Sequence, residues 1–178
     1  PAKPVTVELD NARLVVGQTR ASSLLASGFT FRDKGPDSEI VNQRNDHFFY
    51  GQRAELTRDK KSYGYVYITP KWSDSDKLKN CIITYYRIEA NNDQVSKIKF
   101  NNTNLSRLTI KDFQTRKLTD VFSLSPIDYE EVKTDTSYIL TIQTYGYSLW
   151  KSYRINANYN SNNTLNFFSV GAQHTIWE

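Results

Sequence analysis

The residue types that most often build metal sites and thiol nucleophiles are scarce in this chain, which has one cysteine and two histidines. The histidines, His47 and His174, have no partner at the spacing of a HExxH or other i, i+4 ligand pair. Cys81 opens an apolar strand, where no helix N-terminus is expected to lower the pKa of its thiol. We therefore predict a buried packing cysteine, no bound cofactor and no metal site.

The carboxylates and serines also lack the patterns of common catalytic sites. The sequence contains no GxSxG, no P-loop and no GxGxxG motif. The acidic stretches 33–37 and 74–76 lack the ligand spacing, central glycine and terminal glutamate of an EF-hand loop. Glu130 and Glu131 are adjacent, so their side chains point to opposite faces of an extended chain. We expect a protein that is not an enzyme; the alternative is a hydrolase whose carboxylates only the fold brings together.

Aromatic side chains next to basic ones remain as candidates for a binding site. Tyr63, Tyr65 and Tyr67 alternate along one segment, which predicts that they share one face of a strand, either in the core or along an exposed groove. Exposed Trp and Tyr beside Arg or Lys are typical of binding hot spots. The candidate partner-binding residues are Trp72, Trp150, Tyr63, Tyr65, Tyr67, Lys71 and Lys151.

The charge balance is mildly basic. Lys and Arg number 23 against 19 Asp and Glu, a net charge of +4, which suits an acidic partner or a negatively charged surface. The basic residues are spread along the chain, so nucleic acid is not an expected partner. Their densest run, residues 58–61, contains an aspartate and predicts a solvated loop. No apolar run approaches the roughly 18 residues of a membrane span, so no transmembrane segment is expected.

The elements that must position these residues are mostly strands. Alternation of apolar and polar residues predicts strands at 5–9, 63–69, 81–89, 138–145, 153–159 and 165–170. A first short helix is predicted at 19–27, with Thr19 as its N-cap and Gly28 as its left-handed exit. A second helix is predicted to begin at the cap Thr115. It carries an apolar stripe of Leu118, Val121 and Phe122.

The tripeptide Gln-Thr-Arg occurs twice, at 18–20 and 114–116, each time before a predicted helix and a group of strands. This agreement indicates an internal duplication; the alternative is that two similar caps arose by chance. A short helix laid on a sheet buries the apolar face of both. The predicted fold is therefore α+β, with antiparallel sheets and one short helix packed per repeat, as two tandem lobes or one continuous domain. The predicted boundaries are a tether at 1–4, a first repeat at 5–100 and a second repeat at 101–178.

The order of elements in each repeat resembles that of the β-lactamase inhibitor protein and of the small outer-membrane assembly lipoproteins. The residues that carry the resemblance are Gly17, Thr19, Leu24, Leu25 and Gly28, then Thr115, Val121, Phe122 and Pro126. Secreted and lipid-anchored Gram-positive proteins of unassigned function also look similar. The resemblance implies an extracytoplasmic protein-binding module, secreted or anchored at the cell surface, and carries over no catalytic residue.

These observations together predict a non-catalytic binding module, with another protein of the cell envelope as the expected partner. An inhibitor, or an immunity protein that blocks a toxin, is one concrete form of such a module. The alternative is a cell-wall or carbohydrate binder, in which surface aromatic rings stack on sugars and basic residues attract the phosphates of a wall polymer.

Overall fold

The computed structural model describes residues 5–44, 49–71, 73–115, 118–124, 126, 129–143 and 152–173. The predicted tether, Trp72, Trp150, Lys151 and both histidines lie outside these residues. The strands are β1 (Thr6–Leu9), β2 (Ala12–Val15), β3 (Thr30–Phe31), β4 (Glu39–Val41), β5 (Gln43–Arg44), β6 (Phe49–Tyr50), β7 (Gln52–Arg58), β8 (Lys61–Thr69), β9 (Ser75–Lys77), β10 (Ile82–Glu89), β11 (Ile98–Phe100), β12 (Thr103–Asn104), β13 (Tyr129–Lys133), β14 (Ser137–Gln143), β15 (Ser152–Tyr159) and β16 (Leu165–Gln173). The helices are α1 (Ala21–Ala26), α2 (Ile110–Thr115) and α3 (Leu118–Val121), with 3-10 turns at Leu78–Asn80, Asp93–Lys97 and Leu105–Arg107.

Most of these strands belong to two antiparallel sheets. The large sheet has the order β13-β14-β15-β16-β10-β8-β7-β3, and the small sheet has the order β12-β11-β1-β2. Both sheets continue across the predicted repeat boundary between residues 100 and 101, since β10 pairs with β16 and β11 pairs with β12. The division into two repeats stays a prediction. Two further strand pairs, β4-β9 and β5-β6, lie apart from these sheets.

The inner faces of the two sheets meet in one core that is rich in aromatic rings. Phe113 of α2 lies between them: its ring centroid is 5.8 Å from that of Phe100 in the small sheet and 6.2 Å from that of Phe168 in the large sheet. The rings of Tyr138 and Tyr159 also lie 6.2 Å from Phe113. The large sheet therefore has one face in the core and one face toward solvent.

The α+β prediction is wrong, because the protein is mainly β. Among the described residues, strands hold several times as many residues as the α-helices. The three α-helices in the described part of the chain contain six, six and four residues, too few to form a helical layer over a sheet. The apolar stripes that predicted them span only one or two turns, whereas the Val, Ile, Thr, Tyr and Phe of the remaining sequence favour strands.

The first predicted helix exists, but it is not capped as expected. Thr19 does not cap α1; its Oγ1 accepts a hydrogen bond from the backbone N–H of Val15 at 2.8 Å, and Arg20 precedes the helix. The exit at Gly28 is confirmed by its φ of +89°. Past that glycine the N–H of Phe29 donates to the carbonyl of Leu24 at 3.0 Å, which closes the helix end.

The second predicted helix is divided, and its predicted cap, Thr115, is the last residue of α2. The Thr115 hydroxyl donates to the carbonyl of Lys111 at 2.8 Å. The cap of α2 is Thr109: its Oγ1 accepts from the N–H of Asp112 at 3.2 Å, while its own N–H donates to the Asp112 carboxylate at 2.9 Å. The predicted stripe begins at Leu118, which is the first residue of α3. Of the helices in the described ranges, none has the length and apolar character needed to cross a membrane.

The basic run at 58–61 forms a tight hairpin between β7 and β8. Asp59 and Lys60 both have positive φ angles, 54° and 62°, as in a type I′ turn. The prediction of a solvated loop is wrong for Arg58, whose side chain is only 12% exposed. Its guanidinium pairs with Asp10 at 2.8 Å and lies 4.4 Å from the ring centroid of Phe29. Arg58 therefore ties the hairpin to the turn that follows β1.

Candidate functional site

The outer face of the large sheet carries two rows of side chains that cross β7, β8, β10, β16 and β15. Their neighbours along each strand are buried in the core, so alternation directs these residues outward. The first row is Arg53, Tyr67, Tyr85, Gly171 and Arg154. The second row is Glu55, Tyr65, Arg87, Ser169 and Asn156. We call Arg53, Tyr65, Tyr67, Tyr85, Arg87 and Phe167 the tyrosine–arginine surface.

A β-bulge at Gly64 keeps Tyr63 out of this surface. From one pair of opposite residues to the next, β7 advances by two residues and β8 advances by three. Strand β8 therefore carries one extra residue at this point. Gly64 has a φ of +99°, and a Cβ there would lie 2.3 Å from the carbonyl oxygen of Arg87. The prediction that Tyr63, Tyr65 and Tyr67 share one face is therefore wrong. Tyr63 is 2% exposed and lies in the core.

The three outer tyrosines pack against one another across β8 and β10. The ring centroids of Tyr67 and Tyr85 are 5.0 Å apart with an interplanar angle of 29°, and those of Tyr65 and Tyr85 are 5.9 Å apart at 30°. Tyr65 and Tyr67, two residues apart on β8, are 6.4 Å apart. All three are half-buried. The rings thus support one another as a stack that runs across the strands.

Two arginines lie over rings of this surface. The guanidinium of Arg53 is 3.9 Å from the ring centroid of Tyr65, and that of Arg87 is 3.9 Å from the ring centroid of Phe167. Because β8 lies between β7 and β10, Arg53 and Tyr85 approach Tyr65 from opposite sides. The ring of Tyr65 is therefore sandwiched between a cation and another ring, an arrangement that both stacking and cation–π attraction stabilise.

Gly171 provides the space into which the ring of Tyr85 leans. A Cβ at Gly171 would lie 3.1 Å from Cδ2 and 3.7 Å from Cε2 of Tyr85. The first of these distances is tighter than ordinary van der Waals contact, so a larger residue at 171 would push the ring away. Tyr85 is the central ring of the stack, and Gly171 therefore helps to set its position.

A groove of about 530 Å³ opens beside the stack, at the end of the sheet nearest β3. Its basic residues are Arg32, Lys34, Arg53 and Arg87, and its acidic residues are Asp33, Glu55 and Glu89. Two of the acids already have partners: Glu55 pairs with Arg32 at 2.8 Å, and Glu89 pairs with Arg87 at 2.6 Å. The groove is within the size range of ligand sites, which is roughly 300–1,000 Å³.

The titratable groups of this site are suited to hydrogen bonding and charge pairing. Burial, and then the neighbouring Tyr85, raise the pKa of Tyr65, so its phenol is neutral at pH 7 and can donate a hydrogen bond. The hydrogen bond from Arg32 lowers the pKa of Glu55, which keeps that carboxylate ionised. In the described ranges no group of three or more His, Cys, Asp and Glu residues could hold a metal ion.

Cys81 lies away from this surface, in the core. It is fully buried, as predicted from its place before an apolar strand. Burial raises the pKa of its thiol to about 12, so the thiol stays protonated at neutral pH. A protonated, buried thiol is a packing group and a poor nucleophile.

The predicted binding residues are only partly brought together. Tyr65 and Tyr67 belong to the tyrosine–arginine surface, whereas Tyr63 faces the core and Lys71 is exposed just beyond the end of β8. Trp72, Trp150 and Lys151 fall outside the described residues. The surface residues missed at the sequence level are Arg53, Tyr85, Arg87 and Phe167. The available signal was the alternation of Tyr85, Arg87 and Glu89 with the core residues Tyr86 and Ile88.

Comparison with known proteins adds no relative. No protein-family model matches the chain, and neither a curated protein nor a solved structure matches it. The resemblance to the β-lactamase inhibitor protein and the outer-membrane lipoproteins therefore stays a prediction. The function has to be inferred from the residues of this chain.

Proposed function

We propose that this chain is a non-catalytic protein-binding module whose contact surface is the tyrosine–arginine surface. The observation that carries the proposal is the ladder of Arg53, Tyr65 and Tyr85, stacked side by side on the solvent face of the large sheet. The extracytoplasmic location and the inhibitory or immunity role stay predictions from the sequence.

The composition of the two outer rows supports a protein partner. The rows contain three tyrosines, three arginines and no lysine, although the chain as a whole is rich in lysine. Tyr and Arg are enriched in protein–protein interfaces and supply most hot spots, whereas Lys is depleted there. The remaining row residues include Ser, Asn and Gly, which are also common in binding loops of antibodies.

The stacking also lowers the entropic cost of binding. A free tyrosine or arginine on a surface loses rotamer freedom when a partner docks, at a cost of about 0.5–1.5 kcal/mol per side chain. The rings of Tyr67 and Tyr85 already restrict each other, and Arg53 is already held over Tyr65. A partner therefore meets side chains that are largely ordered before contact.

The same stacking disfavours the carbohydrate alternative. A sugar platform needs an open ring face on which the apolar face of the sugar can lie. In this surface Tyr65 is covered on both sides, by Arg53 and by Tyr85. The groups beside that ring are a guanidinium and a phenol, which suit the mixed polar and apolar surface of a protein.

Site-specific photo-crosslinking in cells of the source organism tests this proposal. A benzophenone amino acid replaces Tyr67 in one variant and Val41 in the control variant; Val41 is 45% exposed and lies on β4, outside the large sheet. We expect a defined protein adduct from position 67 and none from position 41. Because Tyr85 is the centre of the stack, the added substitution Tyr85→Ala should abolish the adduct.

Two outcomes would contradict the proposal. Adducts of equal yield from positions 67 and 41 would show that contact at this face is unspecific. An adduct that persists in the Tyr85→Ala background would show that the tyrosine stack does not form the contact.

A further inference from the structure

We infer that the partner presents a carboxylate to the guanidinium of Arg53, so that this surface recognises an acidic segment of a protein. The inference rests on the proposed protein-binding function and adds to it the chemical class of the partner. Its basis is the arrangement of charges around the groove between β3, β7 and β10.

Arg53 is the best-placed cation of the groove for a partner's carboxylate. Its side chain is exposed, and its guanidinium lies over the ring of Tyr65 at 3.9 Å. A guanidinium held over a ring can still donate from its N–H groups to both oxygens of a carboxylate. Within the described ranges Arg53 forms no ion pair.

The other charges of the groove leave this position electropositive. Glu55 is the acid nearest in sequence, but it is already paired with Arg32. Glu89 is likewise paired with Arg87. The lining has four basic residues and three acidic ones. Beyond the two ion pairs it holds Lys34, Arg53 and Asp33, which leaves a net charge of one positive unit. A single carboxylate of a partner would balance the groove.

The three acids of the groove argue against a polyanionic ligand. A sulfated or phosphorylated polysaccharide carries a negative charge on most of its units. Such a chain would place negative charges beside Asp33, which forms no ion pair within the described ranges, as well as beside Arg53, and like charges brought together raise the free energy of the complex. A protein segment can place one carboxylate at Arg53 and hydrogen-bond donors beside the three acids.

Selection from a phage-displayed library of random peptides tests the inference. The library is panned on the immobilised full chain, and the affinities of the selected peptides are measured by isothermal titration calorimetry. We expect the selected peptides to be enriched in Asp and Glu relative to the input library. Arg53→Ala should weaken their binding about tenfold or more, which corresponds to about 1.4 kcal/mol or more, because a hydrogen bond between charged groups is lost.

Two controls separate a specific pairing from general attraction. Arg13→Ala removes the same charge from an exposed position on the small sheet, and it should leave the affinity within about twofold. Arg53→Lys keeps the charge but loses the planar, bidentate hydrogen-bond donor. Its affinity should therefore lie between those of the unchanged chain and of Arg53→Ala. Tyr85→Ala reports separately on the tyrosine stack.

The outcomes distinguish this inference from the proposed function. Peptides that require Tyr85, show no acidic enrichment and bind equally well to Arg53→Ala would overturn the inference and leave the proposed function standing. Peptides that bind equally well to Tyr85→Ala would overturn both. Failure to select any peptide, together with salt-sensitive binding of heparin that requires Arg53, would assign the surface to a polyanion and overturn both.

Discussion

The inner and outer faces of the large sheet both carry tyrosines, but the two sets of rings are held differently. On the inner face the hydroxyl groups are used within the fold: that of Tyr86 donates to the carbonyl of Tyr63 at 2.7 Å, and that of Tyr159 donates to the carbonyl of Leu108 at 2.6 Å. On the outer face Tyr65 and Tyr85 are ordered by stacking. Inner tyrosines therefore fix the structure, whereas outer tyrosines form a preordered surface.

This difference shows that residue type alone does not decide the role of an aromatic ring. Tyr63 and Tyr65 are two residues apart on β8 and would share a face in a regular strand. The extra residue at Gly64 reverses the alternation, so Tyr63 enters the core and Tyr65 joins the tyrosine–arginine surface. A single bulge thus sets which tyrosines of β8 lie in the core and which lie on the outer face of the sheet.

The largest contrast is expected between a ring packed against the inner face of the large sheet and a ring on its outer face. Phe113→Ala should lower the free energy of unfolding by about 3–5 kcal/mol, because it empties the centre of the aromatic core. Phe167→Ala, on the outer face, should lower it by about 1 kcal/mol or less, since that ring is half-buried. Urea unfolding followed by circular dichroism measures both. Equal losses in the two variants would erase the distinction between the faces.

A smaller effect is expected from the bulge that separates the two sets of tyrosines. Gly64→Ala should cost about 2–3 kcal/mol, because its Cβ would be strained at a φ of +99° and would contact the Arg87 carbonyl. The matched control is Gly35→Ala, where a Cβ would lie 3.9 Å from its nearest neighbour and the change should stay within about 0.5 kcal/mol. A Gly64→Ala protein as stable as the control would show that β8 does not need the bulge.

The smallest effect is expected from removing single hydroxyl groups. Tyr86→Phe should cost about 1 kcal/mol, because the buried carbonyl of Tyr63 loses the hydrogen bond that the Tyr86 hydroxyl donates. Tyr67→Phe keeps the ring of the outer stack and should change the free energy of unfolding by less than about 0.5 kcal/mol. The same unfolding measurement decides the case. A greater loss in Tyr67→Phe than in Tyr86→Phe would reverse the roles assigned to the two faces.

Local features of the fold could be predicted well from the sequence. The strands near 63–69 and 81–89 were predicted from alternating apolar residues, and both exist as β8 and β10. The helix exit at Gly28 and the burial of Cys81 were predicted from the residue type and its immediate neighbours. These features depend on backbone preference and on short-range patterning, which lie within a few residues of sequence.

Features that join distant segments could not be predicted in the same way. Arg58 was assigned to a solvated loop, but it is held by Asp10 and Phe29, which lie more than one element away in the chain. The prediction of an α+β fold was wrong for a related reason. The apolar stripes at 21–25 and 118–122 predict one or two turns of helix, but they carry no information about the size of the sheets. The candidate site was found in part, through Tyr65 and Tyr67, and its other rings come from β10 and β16.

The amino-acid sequence by itself determined that this chain is rich in tyrosine-bearing strands, that its one cysteine is a packing residue, and that aromatic and basic groups are the candidates for binding. Only the tertiary structure decided which tyrosines face solvent and that Tyr85, Arg87 and Arg53 lie beside Tyr65. The physical reason is that strand register and bulges are set by hydrogen bonds between segments far apart in the chain, together with the burial of a whole face. A shift of one residue along a strand moves every side chain beyond it to the opposite face.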